Sequence, residues 1–260
     1  MSIPIFTVDS FTDVPFKGNP AGVCLLPEAK DAAWMQSVAS EMKHSETAFL
    51  VRRNEGFDLR WFTPSVEVKL CGHATLASAH ILFQEKLADE EIRFFTLSGE
   101  LRARCDGGLI WLDFPAQPPT EMVPAKHLLE ALGVTPVYVG RSRDDYLVVV
   151  TSAETVKNLT PDFVSLRDLM VRGVIVTAPG HGEVDFVSRF FAPGAGIDED
   201  PVTGSAHCCL AVYWEKQLHK SEFLSHQLSA RGGVLRVKLA GDRVLLGGNA
   251  VTVWSGELSA

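Results

Sequence analysis

Short alternations of apolar and polar residues run along most of the chain. Near the N-terminus, apolar Phe6 and Val8 alternate with polar Thr7 and Asp9, the period of a half-buried β-strand. The same alternation, or a short apolar run bounded by turn residues, predicts strands at residues 5–9, 23–26, 47–51, 57–62, 92–97, 100–105, 109–114, 146–151, 174–177, 184–191, 228–230, 234–239, 243–246 and 251–258. Residues 18–22 (GNPAG) are predicted to form a turn between the first two strands.

Three segments have the helical period instead. Residues 31–42 carry apolar side chains from Trp34 to Met42 at spacings of three and four, which is typical of an amphipathic helix. Residues 72–85 and 204–217 are apolar runs introduced by glycine, and each is predicted to form a helix. The chain is therefore strand-rich with one central helix in each half. This favours an α+β fold, since a doubly wound parallel sheet needs regular strand–helix alternation.

One long pattern occurs twice. Residues 60–64 (RWFTP) lead to Cys71-Gly72-His73, and residues 189–193 (RFFAP) lead to Thr203-Gly204-Ser205. Each copy has an aromatic pair, a proline, a polar loop, a glycine and an apolar helix. A single repeat of this length predicts two similar lobes with an active cleft between them.

The proline-rich segment 115–119 is the best candidate for the linker between the lobes, because clustered prolines cannot extend a strand ladder. We therefore expect an N-terminal lobe of residues 1–115 and a C-terminal lobe of residues 116–249. The last strand, at about residues 250–260, is expected to return to the N-terminal lobe.

Composition narrows the class of protein. A net charge of −8 and the lack of a basic cluster argue against nucleic-acid binding. No apolar run approaches the ~20 residues of a membrane span, and the first residues do not resemble a signal peptide. The five scattered cysteines are expected to be reduced thiols, so we expect a cytoplasmic protein.

Glu46 is the strongest candidate for chemistry. It stands between a helix rich in apolar residues and the apolar run 48–51. A carboxylate entering such a strand tends to lose water, which raises its pKa toward the range that suits a proton shuttle. The alternative is a glutamate that faces solvent at the start of the strand.

The two predicted helix starts are candidate anion-binding points. Gly72 and Gly204 would each present unpaired backbone N–H groups with partial positive charge. His73 lies in the first turn of its helix, where a neutral imidazole is expected, and Ser205 has the matching position in the second helix. Taken singly, a core or capping histidine and an N-terminal hydroxyl cap are the more ordinary interpretations.

Two further residues flank these helix starts. Asp200 lies in an acidic segment, residues 198–201, where Asp198 and Glu199 are expected to be solvated loop acids and Asp200 is held beside Pro201. Asn19 could present its amide to a ligand, although an ordinary turn asparagine is the simpler interpretation.

Cys71 allows two interpretations. It could be a reactive thiolate at a helix N-terminus or a small buried apolar residue. A racemase with two facing thiols would need a second cysteine at the equivalent position, which is Thr203. No metal site is predicted, because Cys208 and Cys209 are neighbours on a helix and point in different directions.

Four motifs, in this order, resemble those of the phenazine-biosynthesis PhzF-like isomerase family. They are residues 9–12 with 16–21 (DSFT and FKGNPA), 45–49 (SETAF), 71–75 (CGHAT) and 200–206 (DPVTGSA). The resemblance implies the diaminopimelate epimerase-like fold, in which two pseudo-symmetric lobes each wrap a curved, mostly antiparallel sheet around a central helix.

The resemblance also implies a chemistry. The glutamate that corresponds to Glu46 moves a proton between carbons of a small carboxylate substrate, without a cofactor. The other implied pocket groups are the side chains of His73, Asp200 and Ser205 and the backbone N–H groups of Gly72 and Gly204. A homodimer is implied as well.

Three functions stay open at this point. The first is the cofactor-free isomerase with Glu46 as acid and base, assisted by His73 and Asp200. The second is an amino- or imino-acid racemase or epimerase that depends on Cys71. The third is a protein that binds a small ligand without turnover.

Overall fold

The computed structural model describes residues 2–259, and short strands dominate it. The strands are Ile3–Ser10 (β1), Asn19–Leu26 (β2), Glu46–Arg53 (β3), Gly56–Phe62 (β4), Glu67–Val68 (β5), Glu91–Thr96 (β6), Gly99–Asp106 (β7), Leu109–Pro115 (β8), Thr120–Glu121 (β9), Tyr138–Arg141 (β10), Asp145–Val149 (β11), Gly173–Pro179 (β12), Phe186–Ala192 (β13), Ile197–Asp200 (β14), Glu222–Gln227 (β15), Gly233–Ala240 (β16), Arg243–Gly248 (β17) and Ala250–Leu258 (β18). The α-helices are Ala32–Met42 (α1), Gly72–Gln84 (α2), Lys126–Leu132 (α3), Ala153–Lys157 (α4), Phe163–Arg167 (α5) and Gly204–Leu218 (α6).

These elements fall into two units. The N-terminal unit extends to Asp113 and includes the chain again from Gly247 onward, and the C-terminal unit is Phe114–Leu246. The strand β18 pairs antiparallel with β1 along its whole length, so the end of the chain completes the N-terminal unit. No helix within residues 2–259 is long and apolar enough to cross a membrane.

The strand pairings of the N-terminal unit form an ordered series. β1 and β2 are antiparallel, β2 and β3 parallel, and β3 and β4 antiparallel. β4 then pairs antiparallel with β5 and parallel with β6, and β6 pairs antiparallel with β7.

The C-terminal unit repeats this series step by step. β10 and β11 are antiparallel, β11 and β12 parallel, and β12 and β13 antiparallel. β13 pairs antiparallel with β14 and parallel with β15, which pairs antiparallel with β16. The internal repeat predicted from the sequence is confirmed as a repeat of strand topology.

The repeat includes a matched ion pair. In the N-terminal unit Arg60 of β4 binds Glu67 of β5 through two bonds of 2.7 and 2.8 Å. In the C-terminal unit Arg189 of β13 binds Glu199 of β14 with the same two distances. The expectation that Glu199 is a solvated loop acid is therefore wrong, because a guanidinium holds it in a strand pair.

One helix occupies the centre of each unit's apolar core. α2 packs against β1, β2 and β3. Ala74 and Ala77 of this helix have no solvent exposure, and their small side chains let the strands approach the helix closely. In the C-terminal unit α6 buries Leu210 and Ala211 completely. Both helices are apolar on nearly all sides, as expected for helices surrounded by protein.

The predicted turn at residues 18–22 is wrong, since Asn19 to Gly22 belong to β2. Pro20 pairs with Asp9 of β1, and the parallel partner strand β3 begins only opposite Ala21. Pro20 therefore lies where β2 has a single neighbour, and a missing N–H is tolerated there.

The predicted strand at residues 228–230 is also wrong, because β15 ends at Gln227. The Ser229 hydroxyl donates to the carbonyl of Pro201 and accepts from the N–H of Gly232. The bond from Gly232 to Ser229 is a local turn, and the bond from Ser229 to Pro201 fixes this turn to the segment before α6.

Candidate active site

Glu46 is the first residue of β3, where it pairs with Ala21 of the parallel strand β2. Its side chain is only 18% exposed. Burial raises the pKa of this carboxyl group, and hydrogen bonds with Ser45 and Cys71 lower it only in part. The sequence-based expectation of a desolvated carboxyl group at this position is confirmed.

His73 is the buried partner of this carboxylate. It is the second residue of α2, and its Nε2 atom lies 3.3 Å from Oε2 of Glu46. The Ser45 hydroxyl oxygen lies 3.2 Å from the same nitrogen. The side chains of β3 and of the α2 start are thus in direct contact, although they are far apart in the sequence.

Asn19 sets the protonation pattern of the ring. Its side-chain nitrogen lies 3.1 Å from Nδ1 of His73. An amide N–H is only a donor, so Nδ1 accepts, and in a neutral ring the proton is then on Nε2. The Nε2–H group faces Glu46 and Ser45. Asn19 is a strand residue that orients His73, which the interpretation as an ordinary turn asparagine did not predict.

Cys71 completes the cluster. It occupies the N-cap position of α2, yet its side chain makes no capping bond to the helix. Its sulfur lies 3.5 Å from Nδ1 and 3.9 Å from Nε2 of His73, and the thiol also bonds the Glu46 carboxylate. We call Asn19, Ser45, Glu46, Cys71 and His73 the glutamate cluster.

Nitrogen, sulfur and oxygen ligand atoms meet in this cluster. One such atom each from Glu46, Cys71 and His73 lies within 4.8 Å of the others. No metal site was predicted from the sequence, where only Cys208 and Cys209 were considered as ligands. The group of Glu46, Cys71 and His73 is formed by tertiary contacts, because Glu46 is remote from the other two in the chain.

The two helix starts have the geometry that the repeat predicts. Gly72 is the first residue of α2 and Gly204 the first residue of α6, after the N-caps Cys71 and Thr203. The side chains of these two N-cap residues make no capping hydrogen bond to their helices. Ser205 is the second residue of α6, so it is not the N-cap.

A second polar cluster lies in the C-terminal unit. The Thr203 hydroxyl donates to Oδ2 of Asp200 at 2.6 Å, and Asp200 is buried at the end of β14. Gln227 donates to the Asp200 carbonyl at 2.8 Å and accepts from the Thr203 N–H at 2.8 Å. Asp200 is therefore a strand residue and not a loop acid.

Gln227 was not predicted from the sequence. It is the last residue of β15 and is almost fully buried. Its amide satisfies backbone groups just before α6, as buried polar groups require. No local signal indicates it, because Gln227 stands in a polar stretch beside Ser225 and His226.

Comparison with known proteins places these features in a family. The profile of the family described as "Phenazine biosynthesis-like protein" matches residues 8–256. An uncharacterized isomerase of Halalkalibacterium halodurans is 54% identical over 262 residues, covering 99% of both chains.

Solved structures agree. A phenazine biosynthesis protein of the PhzF family from Enterococcus faecalis has a TM-score of 0.96 at 42% identity, with 100% of both chains covered. A hydroxyproline epimerase from Agrobacterium vitis shares the fold at a TM-score of 0.65, 9% identity and coverage of 99% and 92%. The α+β fold expected from the sequence is confirmed, and the chain belongs to the phenazine biosynthesis-like family of isomerases.

Proposed function

We propose that the protein is a cofactor-independent isomerase that moves a proton within a small carboxylate substrate, with Glu46 as acid and base. The observation that carries the proposal is the buried Glu46 carboxyl group, 3.3 Å from the Nε2 atom of His73. Burial raises the pKa of Glu46, which brings a carboxyl group nearer to the range in which it both removes and returns a proton.

The proposed step conserves atoms and electrons. Glu46 takes a proton from a substrate carbon, and the electron pair of that C–H bond moves into the adjoining unsaturated system. The protonated Glu46 then delivers a proton to another carbon on the same face, and exchange of its O–H proton with solvent before delivery lets deuterium enter the substrate. One group on one face is sufficient for such an allylic shift, whereas inversion of a centre usually needs an acid on the opposite face.

His73 and the start of α2 assist in this proposal. The Nε2–H group of His73 points at Glu46, so it can hold the carboxylate in place without a charge of its own. The first N–H groups of α2, beginning at Gly72, favour an anionic substrate group. Asn19 acts through His73 as a positioning residue.

The roles proposed for the C-terminal unit come from the motif at residues 200–206. Asp200 is proposed to assist the reaction, and Ser205 and the Gly204 N–H to bind substrate. Ser205→Ala should then raise KM more than it lowers kcat, since a binding hydroxyl interacts with the ground state as well. An unchanged KM would remove Ser205 from the proposal.

The decisive experiment follows hydrogen exchange by NMR in deuterated buffer with a panel of small aromatic, cyclic and imino carboxylates. The parent protein should exchange one C–H of its substrate, and Glu46→Gln should slow this by roughly 10²–10⁴, the usual contribution of a general acid–base group. Glu41→Gln, on the exposed side of α1, is the matched control. Full exchange in Glu46→Gln would refute Glu46 as the base.

One observation keeps the racemase alternative in view. The Cys71 thiol bonds Glu46 and lies 3.5 Å from His73. Its topological equivalent at the N-cap of α6 is Thr203, a far weaker acid, so a two-thiol mechanism has no second thiol there. Exchange that survives in Cys71→Ser would support the isomerase, and exchange abolished by that change would support the racemase. Binding without exchange would favour the ligand-binding protein.

Location and assembly are part of the proposal. We propose a cytoplasmic homodimer, from the family resemblance and from the five cysteines, which are thiols and not disulfides in the described part of the chain. Light scattering of the purified protein would measure the assembly, and a mass of 28.4 kDa would show a monomer instead.

A further inference from the structure

We propose that Glu46, Cys71 and His73 form an inhibitory binding site for a thiophilic divalent metal, with Zn²⁺ as the natural occupant. The binding of the metal is inferred from the geometry of the glutamate cluster alone, and only its inhibitory effect rests on the proposed isomerase reaction. Zinc would act as a regulatory ligand that blocks the glutamate cluster when the concentration of free zinc rises.

The distances fit a tetrahedral ion. With Zn–N and Zn–O bonds of about 2.0–2.1 Å and a Zn–S bond of about 2.3 Å, tetrahedral ligands lie about 3.3 Å (N to O) and about 3.6 Å (N to S) apart. The Nε2 atom of His73 lies 3.3 Å from Oε2 of Glu46 and 3.9 Å from the Cys71 sulfur. The sulfur lies nearer to Nδ1, at 3.5 Å, so the Cys71 side chain must rotate toward Nε2 to complete the zinc triangle.

The ligand chemistry fits as well. Thiolate, imidazole and carboxylate are the three side-chain ligand types that zinc accepts. A thiolate and a carboxylate together balance the two charges of the ion, so the occupied site would be neutral. This matters because Cys71 and His73 are buried, and an uncompensated charge would be costly there.

The backbone of the site is held in place, and the site is open on one side. Cys71 and His73 are fixed to each other by the start of α2, and Glu46 is fixed by the pairing of β3 with β2. The Glu46 side chain is 18% exposed to solvent, which leaves room for a water molecule as the fourth ligand. Three protein ligands with an open fourth position also occur in catalytic zinc sites, where water or substrate takes the fourth position.

Binding has a definite proton balance. The Cys71 S–H bond breaks as the Zn–S bond forms, and its proton passes to solvent; no electrons are transferred. His73 binds through Nε2 and carries its proton on Nδ1, so the Asn19 amide turns to present its oxygen to that N–H. Zinc then occupies the lone pairs with which Glu46 would otherwise take a proton.

Cobalt titration of the metal-free, reduced protein tests the site without any substrate. One Co²⁺ per chain should give an ultraviolet thiolate-to-cobalt band and visible bands of tetrahedral strength, and one equivalent of Zn²⁺ should abolish them. Cys71→Ser should remove the thiolate band, and Glu46→Gln should weaken binding by at least the roughly 10–100-fold that loss of a supporting residue costs.

The controls separate this site from other thiols and from misfolding. Cys105→Ser removes the exposed cysteine and should leave the cobalt spectrum unchanged. The urea midpoint of each variant reports its folding, and Cys71→Ala serves if Cys71→Ser is unstable. A missing cobalt band in the parent protein, a band that survives in both Cys71 variants, or one lost in Cys105→Ser would overturn the inference. The isomerase proposal is tested separately, by hydrogen exchange in the presence of a chelator.

Discussion

Protonation of one buried histidine should make this protein lose stability in mild acid. His207 of α6 has no solvent exposure, and its Nδ1–H group donates to the carbonyl of Thr203 at 2.8 Å. Its other nitrogen, Nε2, has no hydrogen-bond partner among the described residues, and the ring packs near Phe186. Burial lowers the pKa of His207 from 6.5 to about 4.

The sign and size of the effect follow from this pKa. Between pH 6.5 and 4 the unfolded chain binds a proton at this position and the folded protein does not, so stability falls as the pH falls through this range. The loss from His207 is about 2 kcal/mol at pH 5 and about 3 kcal/mol at pH 4 and below, relative to neutral pH, at 1.36 kcal/mol for each pKa unit. Above about pH 7.5 the contribution is constant.

The perturbation is His207→Leu, which keeps a side chain of similar size and cannot titrate. Urea unfolding of parent and variant at pH 7.5, 6 and 5 gives the free energy of unfolding of each. The difference in the free energy of unfolding between the two proteins should change by about 2 kcal/mol from pH 7.5 to 5, because the stability of the variant depends less on pH. His127→Leu is the control, because that ring is 78% exposed. Parallel pH profiles for parent and His207→Leu would refute the reasoning.

Three further substitutions test the fold by urea unfolding. Gly56→Ala should lower the free energy of unfolding by about 2 kcal/mol or more, since φ is +137° and a Cβ would lie 2.2 Å from a β6 carbonyl oxygen. An unchanged free energy of unfolding would contradict this backbone conformation at Gly56. Arg172→Met should cost about 3 kcal/mol by leaving the buried Asp145 carboxylate without its two-point partner, and adding Asp145→Asn should recover part of that loss. Asp31→Ala should cost about 1 kcal/mol by removing the N-cap of α1, and no loss would mean that the cap is dispensable.

The candidate site shows where sequence reasoning is sufficient. An apolar strand that begins with a glutamate already predicts a desolvated carboxyl group, and the Glu46 side chain is only 18% exposed, with its pKa raised by burial. The short motifs were sufficient for the family, since four of them in order are specific. The glycines that begin α2 and α6 were also evident, because glycine followed by an apolar run is a local signal.

Other features of the site depend on contacts between distant segments. The contact of Asn19 with His73 joins a strand to a helix, and the sequence around Asn19 indicated a turn. The bonds of Gln227 to Thr203 exist because β15 ends beside the start of α6. No local pattern encodes either contact, since each depends on how strands pair across the unit.

The sequence alone determined the strand-rich α+β class, the duplicated pattern, the central helices and the candidate glutamate, because hydrophobic period and short motifs are local properties. Only the tertiary structure decided that Pro20 lies in a strand, that Glu199 is held by Arg189, and that Cys71, His73 and Glu46 meet. Each of these outcomes depends on which strand lies next to which, and pairing between distant segments is set by burial of the whole core and not by neighbours in the chain.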